Sequence, residues 1–149
     1  ASDAGRDPSS VAPAAVFSVL TATRPAEVDA LVESVGARAL TLCAPGEMWT
    51  RHGATHPLGE NFTGLQDYLP QTLDERTVLD YVEKVPPSLV REFCLAGTPD
   101  EIVEQVADWR DHGLRYAVLM NLSAIHPNLT HGMLSNAPLV TTLRKLKKL

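Results

Sequence analysis

Gly97-Thr98-Pro99-Asp100-Glu101, a helix-period run, and then Gly113-Leu114-Arg115-Tyr116-Ala117-Val118-Leu119-Met120 form the stretch that decides the fold of this 149-residue chain. Thr98 is a helix-capping residue type. Pro99 suits the first helical position, where its missing N–H would have had no partner, and Glu101 can reach back to close a capping box. Ile102, Val103, Val106 and Trp109 then recur at three- and four-residue spacing and make one apolar face. Gly113 stops the helix, and 116–120 reads as a short buried strand. A helix, a glycine turn and a buried strand make half of a βαβ unit, which calls for a parallel sheet.

Working upstream, 11–20 is an apolar run rich in Val and Ala, as a strand buried on both faces should be, with Pro13 near its start. From Pro25 to about residue 42, Val28, Leu31, Val32 and Val35 alternate with Glu27, Asp29 and Glu33 at helical spacing, which predicts one amphipathic helix. The segment 45–71 has no sustained period and reads as an insertion with a short helix at 46–51. Thr72-Leu73-Asp74-Glu75 fits a capping box led by Thr72, and Val78, Leu79, Val82 and Val85 give the next helix its buried stripe, ended by Pro86-Pro87. After an apolar segment at 90–95 comes the deciding stretch, with 97–149 as the last helix-strand-helix unit. There, 121–135 is loop-like, and a final helix from about Pro138 carries Leu139, Leu143 and Leu146 inward and Arg144, Lys145, Lys147 and Lys148 outward.

No hairpin signal interrupts this order, so the expectation is an α/β fold with parallel strands. Two confident strands cannot bury the helices offered, and a complete (β/α)8 barrel takes about 250 residues. The expected architecture is therefore one piece, 1–149, of a larger barrel domain.

Composition excludes several classes. At 44% hydrophobic and 21% charged the chain has material for a core, and its net charge of −5 argues against a phosphate-backbone partner, so no nucleic acid is expected. Cys43 and Cys94 lie in apolar settings without metal spacing and read as buried reduced thiols. No apolar run reaches the roughly 18 residues of a membrane span. The opening Ala1-Ser2-Asp3-Ala4-Gly5-Arg6-Asp7-Pro8 lacks both Met and a secretory pattern, so a cytoplasmic protein beginning partway through a longer reading frame is expected. Without a signal, the Asn-x-Ser/Thr triplets at Asn61, Asn121 and Asn128 read as chance. No dinucleotide fingerprint, P-loop or nucleophile elbow occurs.

The deciding stretch resembles the last helix-and-strand unit of the luciferase-like monooxygenase superfamily, and Ala4-Gly5-Arg6-Asp7-Pro8 resembles the end of the preceding helix in the same barrels. Within the coenzyme F420-dependent branch, Trp49-Thr50-Arg51-His52-Gly53, His56-Pro57-Leu58-Gly59, Phe62-Thr63-Gly64-Leu65-Gln66-Asp67, Pro70-Gln71-Thr72 and the run from Glu104 to Tyr116 resemble ketoreductases that act on long-chain lipids. The terminal Leu143-Arg144-Lys145-Leu146-Lys147-Lys148-Leu149 does so too, whereas 124–142 does not carry the resemblance. This similarity implies the C-terminal part of a bacterial luciferase-like TIM barrel: about two strands, the insertion between them and a closing helix. It further implies hydride transfer from reduced coenzyme F420, with FMN the alternative, to a ketone on a lipid or small-molecule substrate. The main catalytic positions would then lie on barrel strands that are not in this chain, leaving it inactive alone, and a homo-oligomer is possible.

In such barrels the pocket lies at the C-terminal ends of the strands, here 20–23 and 121–123. Asn121 is then a hydrogen-bonding group at the mouth or an ordinary polar strand terminus. His52 and His56 stand four apart, but Gly53 and Pro57 break the helix that would aim them at one metal, and no third ligand is near; no metal is expected. A proton donor, a substrate-loop contact and a loop-stabilising hydrogen bond remain open for each histidine. Gln66, Asp67 and Gln71 are candidate ligand contacts in the same insertion or turn and cap residues. Trp49 and Trp109 read as core, each indole N–H satisfied by a neighbour. The terminal basic cluster fits a solvated helix end or an anionic membrane surface. Two other functions stay open: a flavin-dependent monooxygenase, and a non-catalytic binding module derived from a barrel end.

Overall fold

The computed structural model describes residues 2–5, 7, 10–67, 72–125 and 129–149. Three parallel strands, β1 (Ala14–Thr21), β2 (Leu95–Gly97) and β3 (Tyr116–Asn121), form a sheet in the order β2-β1-β3. β1 and β3 lie side by side over six register pairs, from Ala14↔Tyr116 to Val19↔Asn121, as consecutive strands of a barrel do. β2 covers only the last three residues of β1 on its other edge. Three residues closing an apolar segment give no period of their own, so only two strands were legible. The first strand runs to Thr21 rather than ending at residue 20.

Between β1 and β2 the chain runs through α1 (Pro25–Val32), α2 (Val35–Thr41), α3 (Gly46–Arg51), α4 (Glu75–Val82) and α5 (Pro87–Phe93). The single helix expected over 25–42 is two. Ser34 breaks it: its hydroxyl donates to the Leu31 carbonyl at 2.7 Å and accepts from the Ala37 N–H at 3.2 Å, ending one helix and capping the next. α4 is capped by Asp74, not Thr72. The Asp74 carboxylate accepts from the Thr77 N–H at 2.8 Å and hydroxyl at 2.9 Å, and these bonds hold its pKa below the usual range. Of the α4 stripe, Val82 and Val85 are buried, while Leu79 stands exposed on the far side of the turn. The segment 90–95 is the end of α5 plus the start of β2, with Pro86 and Pro87 serving as cap and first residue.

After β2 come α6 (Pro99–Asp111), β3, α7 (Leu129–Leu134) and α8 (Asn136–Leu146), so part of the segment expected as loop is helical. The capping chemistry at 97–101 forms: the Glu101 carboxylate accepts from the Thr98 N–H at 2.7 Å and hydroxyl at 2.9 Å. Gly113 has φ +102°, the left-handed conformation its stop role requires.

Side chains of β1 divide the core. Phe17 and Val19 face Ile102 and Val106 of α6 and Leu139 and Leu146 of α8. Leu20, with Ala22 just beyond it, faces Val28, Leu31 and Val32 of α1, and the cluster continues through Leu42, Trp49, Leu89 and Val90. The strands are not buried on both faces as expected: Val16 of β1 and Tyr116, Val118 and Met120 of β3 are exposed, because no described element covers that side of the sheet. Val35 of α2 and two further residues expected inward also stand outside the core. Leu143 is exposed on α8, and Trp109 is 51% exposed, lying against Phe17 with ring centroids 5.5 Å apart. Ile102 and Val106 already fill the contact of α6 with the sheet, leaving Trp109 at its edge. Cys94 is buried, and Cys43 is half-buried rather than fully so.

Candidate functional site

The ends of β1 and β3 are tied together by hydroxyl chemistry. The Thr21 N–H donates to the Ser123 hydroxyl at 2.8 Å, that hydroxyl donates back to the Thr21 carbonyl at 3.1 Å, and the Leu122 N–H reaches the Val19 carbonyl at 3.0 Å. Thr21 and Ser123 are each 1% exposed. They floor a crevice of about 750 Å³. Ala26, Ala30 and Leu31 of α1 make one wall, and Leu134, Ala137 and Pro138 make the other. Arg24 and Glu27 stand on the rim, hydrogen-bonded to each other at 2.5 Å, and Glu27 also accepts from the Arg24 N–H at 3.2 Å. That contact, with the attendant charge attraction, raises the Arg24 pKa. Buried oxygens here lack a hydrogen-bond partner among the described residues: Oγ1 of Thr21 and Oδ1 of Asn121.

Among the described residues Asn121 is thus the one expected site residue at the strand mouth. Its amide donates to Ser135 at 3.2 Å and to Asn136 at 3.0 Å, fastening the start of α8 to β3. Thr21 and Ser123 lie within the strand ends 20–23 and 121–123 where the pocket was expected, though neither was singled out, and the Arg24–Glu27 pair had no signal beyond its three-residue spacing.

The remaining candidates serve separate contacts. His52 ends α3, its Nδ1 2.9 Å from the Ser88 hydroxyl and its Nε2 2.5 Å from Glu92 on α5. Arg51 also binds Glu92, and these two partners, Arg51 first, hold the Glu92 pKa low. The group clamps α3 to α5. His56 is 2% exposed and fully used: Nδ1 accepts from the Leu58 N–H and Nε2 donates to the Leu42 carbonyl, both at 3.0 Å. Its ring stacks on Phe62 at 4.0 Å and meets Trp49 edge-on at 4.8 Å. Burial pushes the His56 pKa down, opposed by the Leu42 bond, and because Nδ1 accepts from an N–H the ring carries its proton on Nε2. With every nitrogen occupied, His56 is a loop-stabilising core residue, and Trp49, 0% exposed, is core beside it. The Trp49 indole nitrogen has no hydrogen-bond partner among the described residues, contrary to expectation, because its neighbours are rings and aliphatic groups.

Gln66 donates to the Thr63 hydroxyl at 2.7 Å, and Asp67 accepts from the Thr63 N–H at 3.3 Å and from its hydroxyl. They close a turn. Asp67 also edges a separate shallow cup of about 490 Å³ with Leu58 and Phe62. Gln71 and Asn128 lie outside the described residues. Among the described residues no three His, Cys, Asp or Glu side chains gather in a way that could hold a metal ion, and no helix is long and apolar enough to cross a membrane.

Adjacent parallel strands ending in one polar-floored crevice, with helices after each strand, define an α/β-barrel segment whose chemistry sits at the strand ends. A model of the family described as luciferase-like monooxygenase matches residues 1–116, and the chain belongs to that family. Over all 149 residues the chain is 50% identical to the phthiodiolone/phenolphthiodiolone dimycocerosates ketoreductase of Mycobacterium tuberculosis (strain H37Rv), covering 39% of that protein. It is 48% identical to the enzyme of the same name from Mycobacterium kansasii, covering 41%, and 45% identical to that of Mycobacterium sp. (strain JLS), covering 39%. The chain therefore spans about two-fifths of the length of the curated relatives it matches. No solved structure matches it significantly.

Proposed function

We propose that this chain is the C-terminal part of a cytoplasmic oxidoreductase that reduces a keto group on a long-chain lipid of the phthiodiolone dimycocerosate type with reduced coenzyme F420. The observation that carries this reading is the 45–50% identity, kept along the whole chain, to proteins named as ketoreductases for that lipid class. FMN is the alternative coenzyme, favoured by the description of the matching family as monooxygenases.

Ketone reduction needs a hydride donor, a proton source and a pocket that orients both. Both coenzymes carry a phosphate, and the strand-end crevice offers no free cation for one, because Arg24 is already bound to Glu27. The lining of this crevice does not fit a phosphate-bearing coenzyme. That group belongs to other parts of a longer protein, and this chain by itself is inactive.

The test is a fluorescence titration of oxidised coenzyme F420 with this chain and with a version extended upstream. Binding by the extended version alone is the expected result. Binding by neither, with FMN bound instead, would move the assignment to the flavin enzyme. Tight binding by the short chain would overturn the placement of the coenzyme.

A further inference from the structure

Charge is divided sharply along this chain. All 18 acidic side chains lie in residues 1–111, together with 8 of the 13 lysines and arginines. The remaining five cations, Arg115, Arg144, Lys145, Lys147 and Lys148, lie in 112–149, which has no acidic side chain at all. A basic end on an otherwise acidic protein has an anionic surface as its natural partner.

The fold gathers four of these five cations onto α8. Leu139 and Leu146 pack inward on the cluster around Val19 and Ile102, and Thr142 is fully buried beside them. Lys145 is held by Asp100 of α6. On the side of α8 turned away from the sheet, Val140, Arg144 and Lys147 recur at helical spacing, Lys148 continues that side and Leu143 flanks it. All five are exposed, Val140 at 41% and Leu143 at 42%. Among the described residues Arg144, Lys147 and Lys148 have no ion pair. The helix macrodipole favours cations in a last turn, but it gives no role to the two aliphatic side chains exposed among them. A nucleic acid would use the charges alone. A lipid headgroup layer takes both, phosphates for the cations and the acyl boundary for the aliphatics.

We propose that the outward side of α8 docks this protein reversibly on an anionic phospholipid bilayer, with Arg144, Lys147 and Lys148 against lipid phosphates and Val140 and Leu143 entering the headgroup boundary. In a closed barrel the helices form the outer ring, so this side of α8 stays at the surface when the remaining strands are joined. A helix closing over it would leave three cations buried without partners. The docking does not depend on the oxidoreductase reading and stands or falls separately from it.

The test is co-sedimentation with vesicles, run on this chain and on the upstream-extended protein. Vesicles of phosphatidylcholine and phosphatidylglycerol at about three to one should bind at least about tenfold more protein than phosphatidylcholine alone at about 0.15 M salt, and about 1 M salt should release it. Arg144→Gln with Lys147→Gln should weaken binding at least about tenfold, each cation near such a surface contributing roughly fivefold. The charge-keeping pair Arg144→Lys with Lys147→Arg should bind within about twofold of the parent, as should Arg76→Gln with Lys84→Gln, which removes the same charge elsewhere on the protein. Val140→Ser with Leu143→Ser should weaken binding about fivefold. Equal binding to both kinds of vesicle would overturn the proposal, as would equal losses from the α8 glutamine pair and the Arg76 and Lys84 pair. Unchanged binding by the serine pair, or a DNA duplex bound as tightly as the anionic vesicles, would overturn it in favour of a bare charge contact. Binding by this chain but not by the extended protein would show that upstream residues cover α8, and would also overturn it.

Discussion

Gly46 is where residues 59–62 close onto α3, and replacing it with alanine gives the sharpest check on that packing. A Cβ at this position would lie 2.2 Å from the Glu60 carbonyl oxygen and 2.8 Å from its carbon, roughly an ångström inside van der Waals contact with backbone that cannot rotate away. Either strand of the contact has to retreat, and the Gly46 N–H bond to the Phe62 carbonyl at 2.8 Å goes with it. Stranding a buried donor or acceptor costs about 1–3 kcal/mol, and loosening Phe62 from the His56 ring costs about 0.5–1.5 kcal/mol more. Alanine's helix preference returns at most about 1 kcal/mol, and less in a first turn. Gly46→Ala should therefore destabilise by about 2–3 kcal/mol. Urea unfolding followed by Trp49 fluorescence in a Trp109→Phe background measures this, and the midpoint should fall by about 1 M for an ordinary slope. Glu47→Ala, one residue along and with its side chain 84% exposed, is the control and should stay within about 0.5 kcal/mol of its parent. A Gly46→Ala protein as close to its parent as that control would refute the packing of residues 59–62 against α3.

Two further outcomes are expected. His56 is held neutral in the fold, so the unfolded chain binds a proton that the folded chain resists; stability should be full above the ordinary pKa of 6.5 and decline as pH falls below it toward the depressed folded value. His56→Phe should flatten that decline between about pH 6.5 and 5, and an identical slope in parent and variant would show that His56 titrates normally. Burial pushes the Cys94 thiol up to about 12, and the half-buried Cys43 thiol is raised by the same cause to a lesser burial. An aromatic disulfide reagent at pH 8 should thus modify Cys43 first and Cys94 only on unfolding; equal rates for the two in the native protein would contradict the packing around Cys94.

What was legible in the sequence was whatever local chemistry determines. The capping residues at 97–101, the short helix at 46–51 and the two longer strands follow from side-chain types a few positions apart, and they form where expected. What failed was decided by competition or by distance. Ser34 and Asp74 outbid a continuous helix and a Thr cap because their oxygens reach first-turn amides better, an outcome two plausible caps in a row leave open. β2 exists only because the end of β1 offers it three residues of edge. The site was half legible. Strand ends pointed to 20–23 and 121–123, whereas the histidines drew attention for their residue type and four-residue spacing, and their hydrogen bonds to Leu42, Leu58, Ser88 and Glu92 exist only in the assembled fold. Thr21 could not be singled out, since an unpartnered hydroxyl is a property of the assembled crevice.

The two faces of the sheet extend this argument to the missing chemistry. Where β1 and β3 meet α6 and α8, Phe17, Val19 and Leu119 are covered. On the opposite face the register aligns Ala14 with Tyr116, Val16 with Val118 and Ser18 with Met120, and residues 116, 118 and 120 are 63%, 53% and 45% exposed, with Val16 at 68%. Paired residues in a parallel ladder project to the same side, so this is a continuous apolar strip and not a scatter of exposed side chains. In a closed barrel the face opposite the helices is the interior, filled in layers by alternate strands. The bare face formed by Val16, Tyr116, Val118 and Met120 therefore has the composition of a barrel interior.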